Sequence, residues 1–309
     1  MKSIKVFAPA TVANVTCGFD ILGFAVDEPG DEVILTLKET KGVVIHQITG
    51  DDGRLPLNAT QNTVGASIIS MLKYLNSNQG VEIILNKKMP FGSGLGSSAA
   101  SAAAGSVALN ELLGTKLDKQ QLVKFAMEGE KVASGAAHAD NVAPAIYGGF
   151  VLIRSYNPLD IIQIPAPNDL YCSLVHPHLE ISTKEARALL SPQVSLKDTI
   201  TQCGNVAGLI TGLITNNYAL IGRSMQDIIA EPVRSKLIPG FETVKKHALL
   251  NNALGVGISG SGPSIFALST SKDTANNIAQ IMQAQFNKLN IGSDTYVSQI
   301  NMNGVKVIS

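Results

Sequence analysis

The chain has 309 residues, 45% hydrophobic and only 16% charged, with 24 basic and 24 acidic side chains and zero net charge. That length allows two ordinary domains, and the balanced charge excludes the electrostatic footprint of a nucleic-acid binder or an acidic-membrane binder. Cys17, Cys172 and Cys203 stand far apart with no CxxC pair, which excludes a zinc site or disulfide framework and fits free thiols in a reducing compartment.

Ile4–Lys5–Val6–Phe7–Ala8 reads as a first strand, and Pro9 to Asp20 as a loop mixing small residues with two short polar side chains, Asn14 and Asp20. The apolar run Ile21–Val26 should hold that loop near a core. Asn14, Thr16 and Asp20 also interrupt the apolar stretch a signal peptide needs, and no run approaches a membrane span. A cytoplasmic protein is expected, with small molecules or other protein chains as partners. The sparse charge leaves room for a homodimer. Asp31–Lys38 and Gly42–Thr49 alternate as strands and are expected to pair as a hairpin. Thr63–Leu75 carries apolar residues at Val64, Ile68, Met71, Leu72 and Leu75, a helical stripe.

The most informative stretch follows. Val81–Leu85 is a short β-branched run that reads as a buried strand; Ser97–Leu113 is alanine-rich and proline-free, a helix ending at Gly114. Between them lies Pro90–Phe91–Gly92–Ser93–Gly94–Leu95–Gly96. Glycines at every second position let backbone N–H groups approach a ligand, and the helix start adds free N–H donors and a positive dipole end. That combination predicts an anion site, with phosphate as the anion. Ser93, Ser97 and Ser98 add hydroxyls for phosphate oxygens or magnesium. No lysine follows the glycines, so it is not a Walker loop.

Asp118-x-x-Gln121 is a capping box opening a helix through about Lys131. Glu128 and Glu130 lie near its C-terminal end, where the dipole mildly disfavours acids, and either is a metal-ligand candidate or a solvated glutamate. His138–Ala139–Asp140–Asn141 sets three hydrogen-bonding side chains within four residues of a small, apolar segment. Phe150–Ile153 and Ile161–Ile164 read as strands closing a first domain, 1–166. Pro165, Pro167, Asn168 and Asp169 make the linker to a second, 167–309. There, Leu170–Val175 is a strand, and helices are expected from Ser182 or Thr183, over 199–215, 218–229, 241–250 and 274–289. Gly255–Pro263 is a second glycine loop. Its formal GxGxxG is followed by Pro263 and a strand-like segment, where a dinucleotide fold needs a helix. Val305–Ile308 is the final strand.

Pro90-x-Gly-Ser-Gly-Leu-Gly-Ser-Ser-Ala resembles the ATP-binding signature of the GHMP kinases. The resemblance extends in order through residues 8–23, 89–101, 135–144, 182–187, 231–241 and 255–264. Pro-Ala-Thr-x-Ala-Asn14…Gly-Phe-Asp20 and His138-Ala-Asp-Asn-Val-Ala-Pro144 look most like its homoserine kinase branch. It implies a two-domain α+β fold, with an N-terminal domain like domain 2 of ribosomal protein S5, including a left-handed βαβ crossover, and a ferredoxin-like C-terminal domain. It implies ATP as co-substrate with Mg2+, and phosphorylation of the homoserine hydroxyl in threonine biosynthesis.

By the same resemblance, Pro90 through Ala99 and Ala100 bind ATP, and Ser97 or Ser98 holds magnesium with Glu130. Homoserine is a zwitterion, so its ammonium suits Asp20 and its carboxylate suits Arg187 and Arg234, whose guanidinium groups match it bidentately. Asn141 would aim the hydroxyl with Asp140 and His138 nearby, and Asn14 would complete the pocket. Asn141, Asp140 and Arg187 are the expected catalytic residues. Whether Asp140 removes a proton is open. Mevalonate as acceptor is disfavoured because it has no ammonium for Asp20, and a non-catalytic sensor because no motif looks degraded.

Overall fold

The computed structural model describes residues 2–135 and 138–309. β1 (Ser3–Ala13) runs antiparallel to β2 (Leu22–Lys38), a 17-residue strand long enough to serve two neighbours on its far side. The segment read as loop from Pro9 is therefore strand as far as Ala13. The pairing register shifts between Pro9 and Thr11, an irregularity at which proline's missing N–H is tolerated. The turn starts instead at Asn14, where Asn14, Val15, Thr16 and later Asp20 all take positive φ (71°, 43°, 58° and 61°). Such backbone persists only where its surroundings hold it.

The expected hairpin does not form. β3 (Val43–Thr49) pairs in parallel with β4 (Gly80–Asn86), which lies between β2 and β3. The burial pattern gives the reason. β4 buries Val81, Ile83 and Leu85 and takes a central position, whereas β3 buries only Ile45 and suits the edge. α1 (Thr63–Tyr74) makes the β3–β4 crossover. α2 (Ser97–Leu113) is buried along most of its length, and its small residues let α1 approach. A Cβ on Gly105 would stand 2.8 Å from Val64 Cγ2. α3 (Lys119–Ser134) opens on the expected capping box, with both reciprocal bonds of Asp118 and Gln121 formed. α4 (Val142–Tyr147), β5 (Phe150–Tyr156) and β6 (Leu159–Ile164) complete this half, β5 pairing with β2 and β6 with β5.

The second sheet is built from β7 (Tyr171–Pro177), then α5 (Thr183–Ala188), α6 (Leu196–Ile214), α7 (Tyr218–Ser224), α8 (Glu231–Arg234) and α9 (Phe241–Leu250). β8 (Gly255–Ile258), β9 (Ile265–Ser269), α10 (Lys272–Lys288) and β10 (Ser293–Gln299) follow. The strands are antiparallel in the order β10-β7-β9-β8, the β-α-β-β-α-β arrangement of ferredoxin-like domains. The helix expected over 218–229 stops at Ser224. Beyond it the Asp227 carboxylate accepts from the N–H groups of Ile229, Ala230 and Glu231, offering the backbone an alternative to helix.

The chain's end leaves this sheet. β11 (Lys306–Val307) pairs with β1, so the last residues rejoin the first sheet. The larger apolar core also spans both halves: Phe24 packs on Phe150 at 4.7 Å and edge-on against Phe266 of β9 at 5.8 Å. Among the described residues no helix is long and apolar enough to cross a membrane.

Candidate active site

A cleft of about 790 Å3 lies where loops from the two halves meet. One wall is the glycine loop. Gly92, Gly94 and Gly96 all have positive φ (57°, 77° and 71°). At two of them the approach of other chain segments also demands glycine. A Cβ on Gly94 would lie 2.3 Å from the Ser259 carbonyl, and one on Gly96 would lie 2.2 Å from Thr11 Oγ1. The second glycine loop thus buttresses the first: Ser259 Oγ donates to Gly94 O at 2.7 Å, and Ser264 N donates to Ser93 O at 3.1 Å. Gly96 precedes α2 with no side-chain cap, leaving the first-turn N–H groups of Ser97, Ser98 and Ala99 for an anion. Ala99 and Ala100 are the two expected site residues that do not line the cleft, being fully buried in α2.

Beneath this wall is a buried ion pair that sequence reasoning missed. Lys87 Nζ bonds Asp31 and also donates to Ser97 O (2.9 Å) and Ser101 Oγ (2.8 Å). Asp31 accepts from the N–H groups of Lys88 and Met89 at 2.8 and 3.2 Å, and from Ser97 Oγ at 2.7 Å. The pair fixes the entry and the helix end of the glycine loop together. It also commits the Ser97 hydroxyl.

Ser98 Oγ instead donates to Glu130 Oε2 at 3.2 Å. Glu130 faces inward from α3, and burial pushes its carboxyl up to about 7 against the pull of Ser98 and Lys87. Glu128, two residues earlier, is exposed and pairs with Lys131. Among the described residues no group of three or more His, Cys, Asp or Glu side chains could hold a metal alone. Mg2+ keeps waters and phosphate oxygens and needs only one or two protein ligands. One hydroxyl and one desolvated carboxylate beside a phosphate cradle fit it.

The far end of the cleft collects charge. Arg187 forks onto Asp20, Nη1 to Oδ2 at 2.9 Å and Nη2 to Oδ1 at 2.6 Å, and His138 Nδ1 stands 4.0 Å from Asp20 Oδ1. The two side chains expected to take opposite ends of a zwitterion therefore meet each other. Burial holds the His138 imidazole below its usual value. Asn14 Oδ1 accepts from Asp20 N at 3.0 Å, while its Nδ2 donates to Gly260 O at 2.8 Å. Arg234 is only 4% exposed and donates to the same carbonyl at 3.1 Å. Its guanidinium lies 4.9 Å from the Phe19 ring. Among the described residues no carboxylate pairs directly with it, and burial, with Arg187 nearby, lowers its pKa.

Asp140 and Asn141 enter from the start of α4. Asn141 Oδ1 accepts from Thr11 Oγ1 at 2.8 Å. Asp140 is 4% exposed, its Oδ1 has no hydrogen-bond partner among the described residues, and burial with the charge of Asp20 pushes it up to about 7. Tyr156 ties two of these loops together, donating to Asp20 O at 2.9 Å and accepting from Ala139 N at 3.3 Å. Neither Tyr156 nor the lining residues Leu55, Pro56 and Asn62 carry a sequence signal that marks them. At the cleft mouth Arg54 forks onto Glu180 at 2.6 and 2.8 Å and covers the Phe91 ring at 4.6 Å.

Two family models match the chain: the GHMP kinases N terminal domain over residues 62–149, and the GHMP kinases C terminal over residues 209–288. With a cleft walled by a glycine loop at the junction of two α+β halves, they define a small-molecule kinase of the GHMP class. The homoserine kinase of Chlorobium phaeobacteroides (strain BS1) is 53% identical, with all of both chains covered. That of Chlorobium phaeovibrioides (strain DSM 265 / 1930) is 52% identical, again over all of both. The crystal structure of homoserine kinase from Cytophaga hutchinsonii ATCC 33406 is 61% identical, superposes with a TM-score of 0.97, and is matched over 100% of this chain and 98% of that one. The chain belongs to the homoserine kinase family.

Proposed function

We propose that this enzyme transfers the γ-phosphoryl group of ATP to the side-chain hydroxyl of L-homoserine, giving O-phospho-L-homoserine for threonine biosynthesis. The observation that carries the substrate is the charge layout at the far end of the cleft. Among the described residues Arg234 is a buried cation with no carboxylate on it, and the Asp20–Arg187 pair stands in the same cleft. A substrate bearing both a carboxylate and an ammonium completes that set.

Residues 1–166 supply the nucleotide half and 167–309 complete the substrate site. Pro90 to Ala99 hold the ATP phosphates, chiefly through backbone N–H groups, while Ala100, whose N–H donates to Gly96 O at 2.8 Å, packs behind them. Ser98 and Glu130 hold Mg2+, which neutralises phosphate charge when bound. Arg234 and Arg187 receive the homoserine carboxylate, Asp20 its ammonium, and Asn14 and His138 close around it. Asn141 aims the hydroxyl. In the transfer the hydroxyl oxygen bonds the γ-phosphorus, the bond to the β,γ-bridging oxygen breaks, and ADP leaves. The hydroxyl proton passes to Asp140, whose Oδ1 has no protein partner. The rest of the reaction is positioning and charge neutralisation. The enzyme acts in the cytoplasm on small molecules, without nucleic acid or membrane, and its solution mass tests whether it works as a homodimer.

ADP formation with homoserine, with mevalonate and with no acceptor is the test. Homoserine-dependent turnover is expected. Equal turnover on mevalonate would replace the substrate, and no turnover on either would point to a sensor.

A further inference from the structure

Behind Arg234 lies a second, much smaller cavity of about 10 Å3, lined by Asn14, Thr16, Phe19, Asp227, Glu231 and Arg234 among others. That is the size of a single water site. Among the described residues, two buried side-chain atoms without a protein hydrogen-bond partner belong to its lining: Arg234 Nε, a donor, and Glu231 Oε2, an acceptor. The other Glu231 oxygen bonds Lys245 Nζ. Asp227 also faces the cavity, and Thr16 Oγ1, which donates to Val15 O at 2.6 Å, keeps its lone pairs available.

We propose that this cavity holds one ordered water, which accepts from Arg234 Nε and donates to Glu231 Oε2, and that Glu231 is thereby a positioning residue for Arg234. A second donation from the same water can go to Asp227 or Thr16, giving it the three bonds typical of buried water. With Nε held by the water and Nη1 by Gly260 O, the guanidinium plane is fixed over Phe19. The remaining Nη donors are then free for a carboxylate in the cleft. The charges of Asp20, Asp227 and Asp140 oppose the burial that lowers the Arg234 pKa. The Glu231–Arg234 segment thereby acquires a role for both its charged ends. The kinetic consequence rests on the reading above, in which Arg234 takes the homoserine carboxylate.

The test has two arms. In a high-resolution crystal structure of the ligand-free protein, a water is expected within hydrogen-bond distance of both atoms. In kinetics, Glu231→Gln replaces the charged acceptor of that bridge by a neutral amide and should raise KM for homoserine about tenfold, the difference between a charged and a neutral hydrogen bond. KM for ATP and kcat should stay within about twofold. Lys245→Met breaks the ion pair but not the water bridge, and should leave KM for homoserine unchanged. No density in the cavity overturns the water site. If Lys245→Met reproduces Glu231→Gln, or if KM for ATP moves equally, Glu231 is a structural ion-pair partner only. If Glu231→Gln does not fold, Lys245→Met and the crystal structure still decide. Arg234→Lys with an unchanged KM for homoserine would defeat the carboxylate assignment instead, leaving the crystallographic arm to judge the water.

Discussion

At the glycine-loop end of the cleft the charges are matched by the protein itself. Lys87 sits on Asp31, and both are bonded further to Ser97, Ser101 and the backbone of Lys88 and Met89. At the acceptor end, among the described residues, the buried Arg234 has no carboxylate paired with it and Asp140 Oδ1 is buried without a protein partner. In the proposed reaction the first arrangement preorganises a cradle for a phosphate chain that every nucleotide brings. The second would hold charge that the substrate completes, and so discriminate between substrates.

The contrast breaks most visibly at its most satisfied point. Lys87→Met leaves Asp31 buried and unpaired, a loss of about 3–5 kcal/mol of stability, read by denaturant unfolding. A change below about 1 kcal/mol would mean that the wall is not held by this pair. Next comes the metal. Glu130→Gln should cut turnover about 100-fold, whereas Glu128→Gln, on the exposed face of the same helix, should hardly change it. The opposite ordering would remove Glu130 from the site.

Asp140 sharpens the contrast from the other side. Its folded-state pKa is about 7, against 3.8 for the free group. Between those values the folded state binds more protons than the unfolded one, so stability falls as pH rises through the interval and levels off above it. Asp140→Asn should therefore be more stable than the parent at pH 8 but not at pH 4. The gain is bounded by about 4 kcal/mol, since one pKa unit is worth about 1.4 kcal/mol. The same substitution should abolish a rise of kcat/KM with pH through about 7; a pH profile unchanged by it would show that the proton goes elsewhere. The smallest effect belongs to Arg54→Met. Its pair with Glu180 is exposed and screened by water, so thermal unfolding should show little or no change.

The parts legible in the sequence are those where local chemistry suffices. Three alternating glycines before a proline-free helix specify a positive-φ loop running into an uncapped helix start, and Asp118-x-x-Gln121 specifies its own helix start. Pairing partners are not local, so the alternation of 31–38 and 43–49 gave strands but a hairpin that β4 displaces. α4 escaped because it is six residues long, lacks a side-chain cap bond and contains Pro144. Lys87 and Lys88 look equivalent in sequence, yet one is buried on Asp31 and the other reaches Glu32 at the surface. Asp20 and Arg187 lie 167 residues apart, and no spacing rule could join them. Their assignment to a substrate came from family resemblance, and their contact with each other from the fold.

That contact makes substrate choice the measurement to settle first. kcat/KM should be compared for homoserine and 4-hydroxybutyrate, the same alcohol acid without the ammonium, in the parent, Asp20→Asn and Arg234→Met. A strong parent preference for homoserine is expected, narrowed tens-fold or more by Asp20→Asn, since removing one partner of a charge pair that the bound substrate shields from water costs about 2–5 kcal/mol. Arg234→Met should weaken both substrates and leave their ratio unchanged, because both carry the carboxylate. If Asp20→Asn lowers both by one common factor, Asp20 serves only to hold Arg187, and the claim that this end of the cleft reads a zwitterion is contradicted.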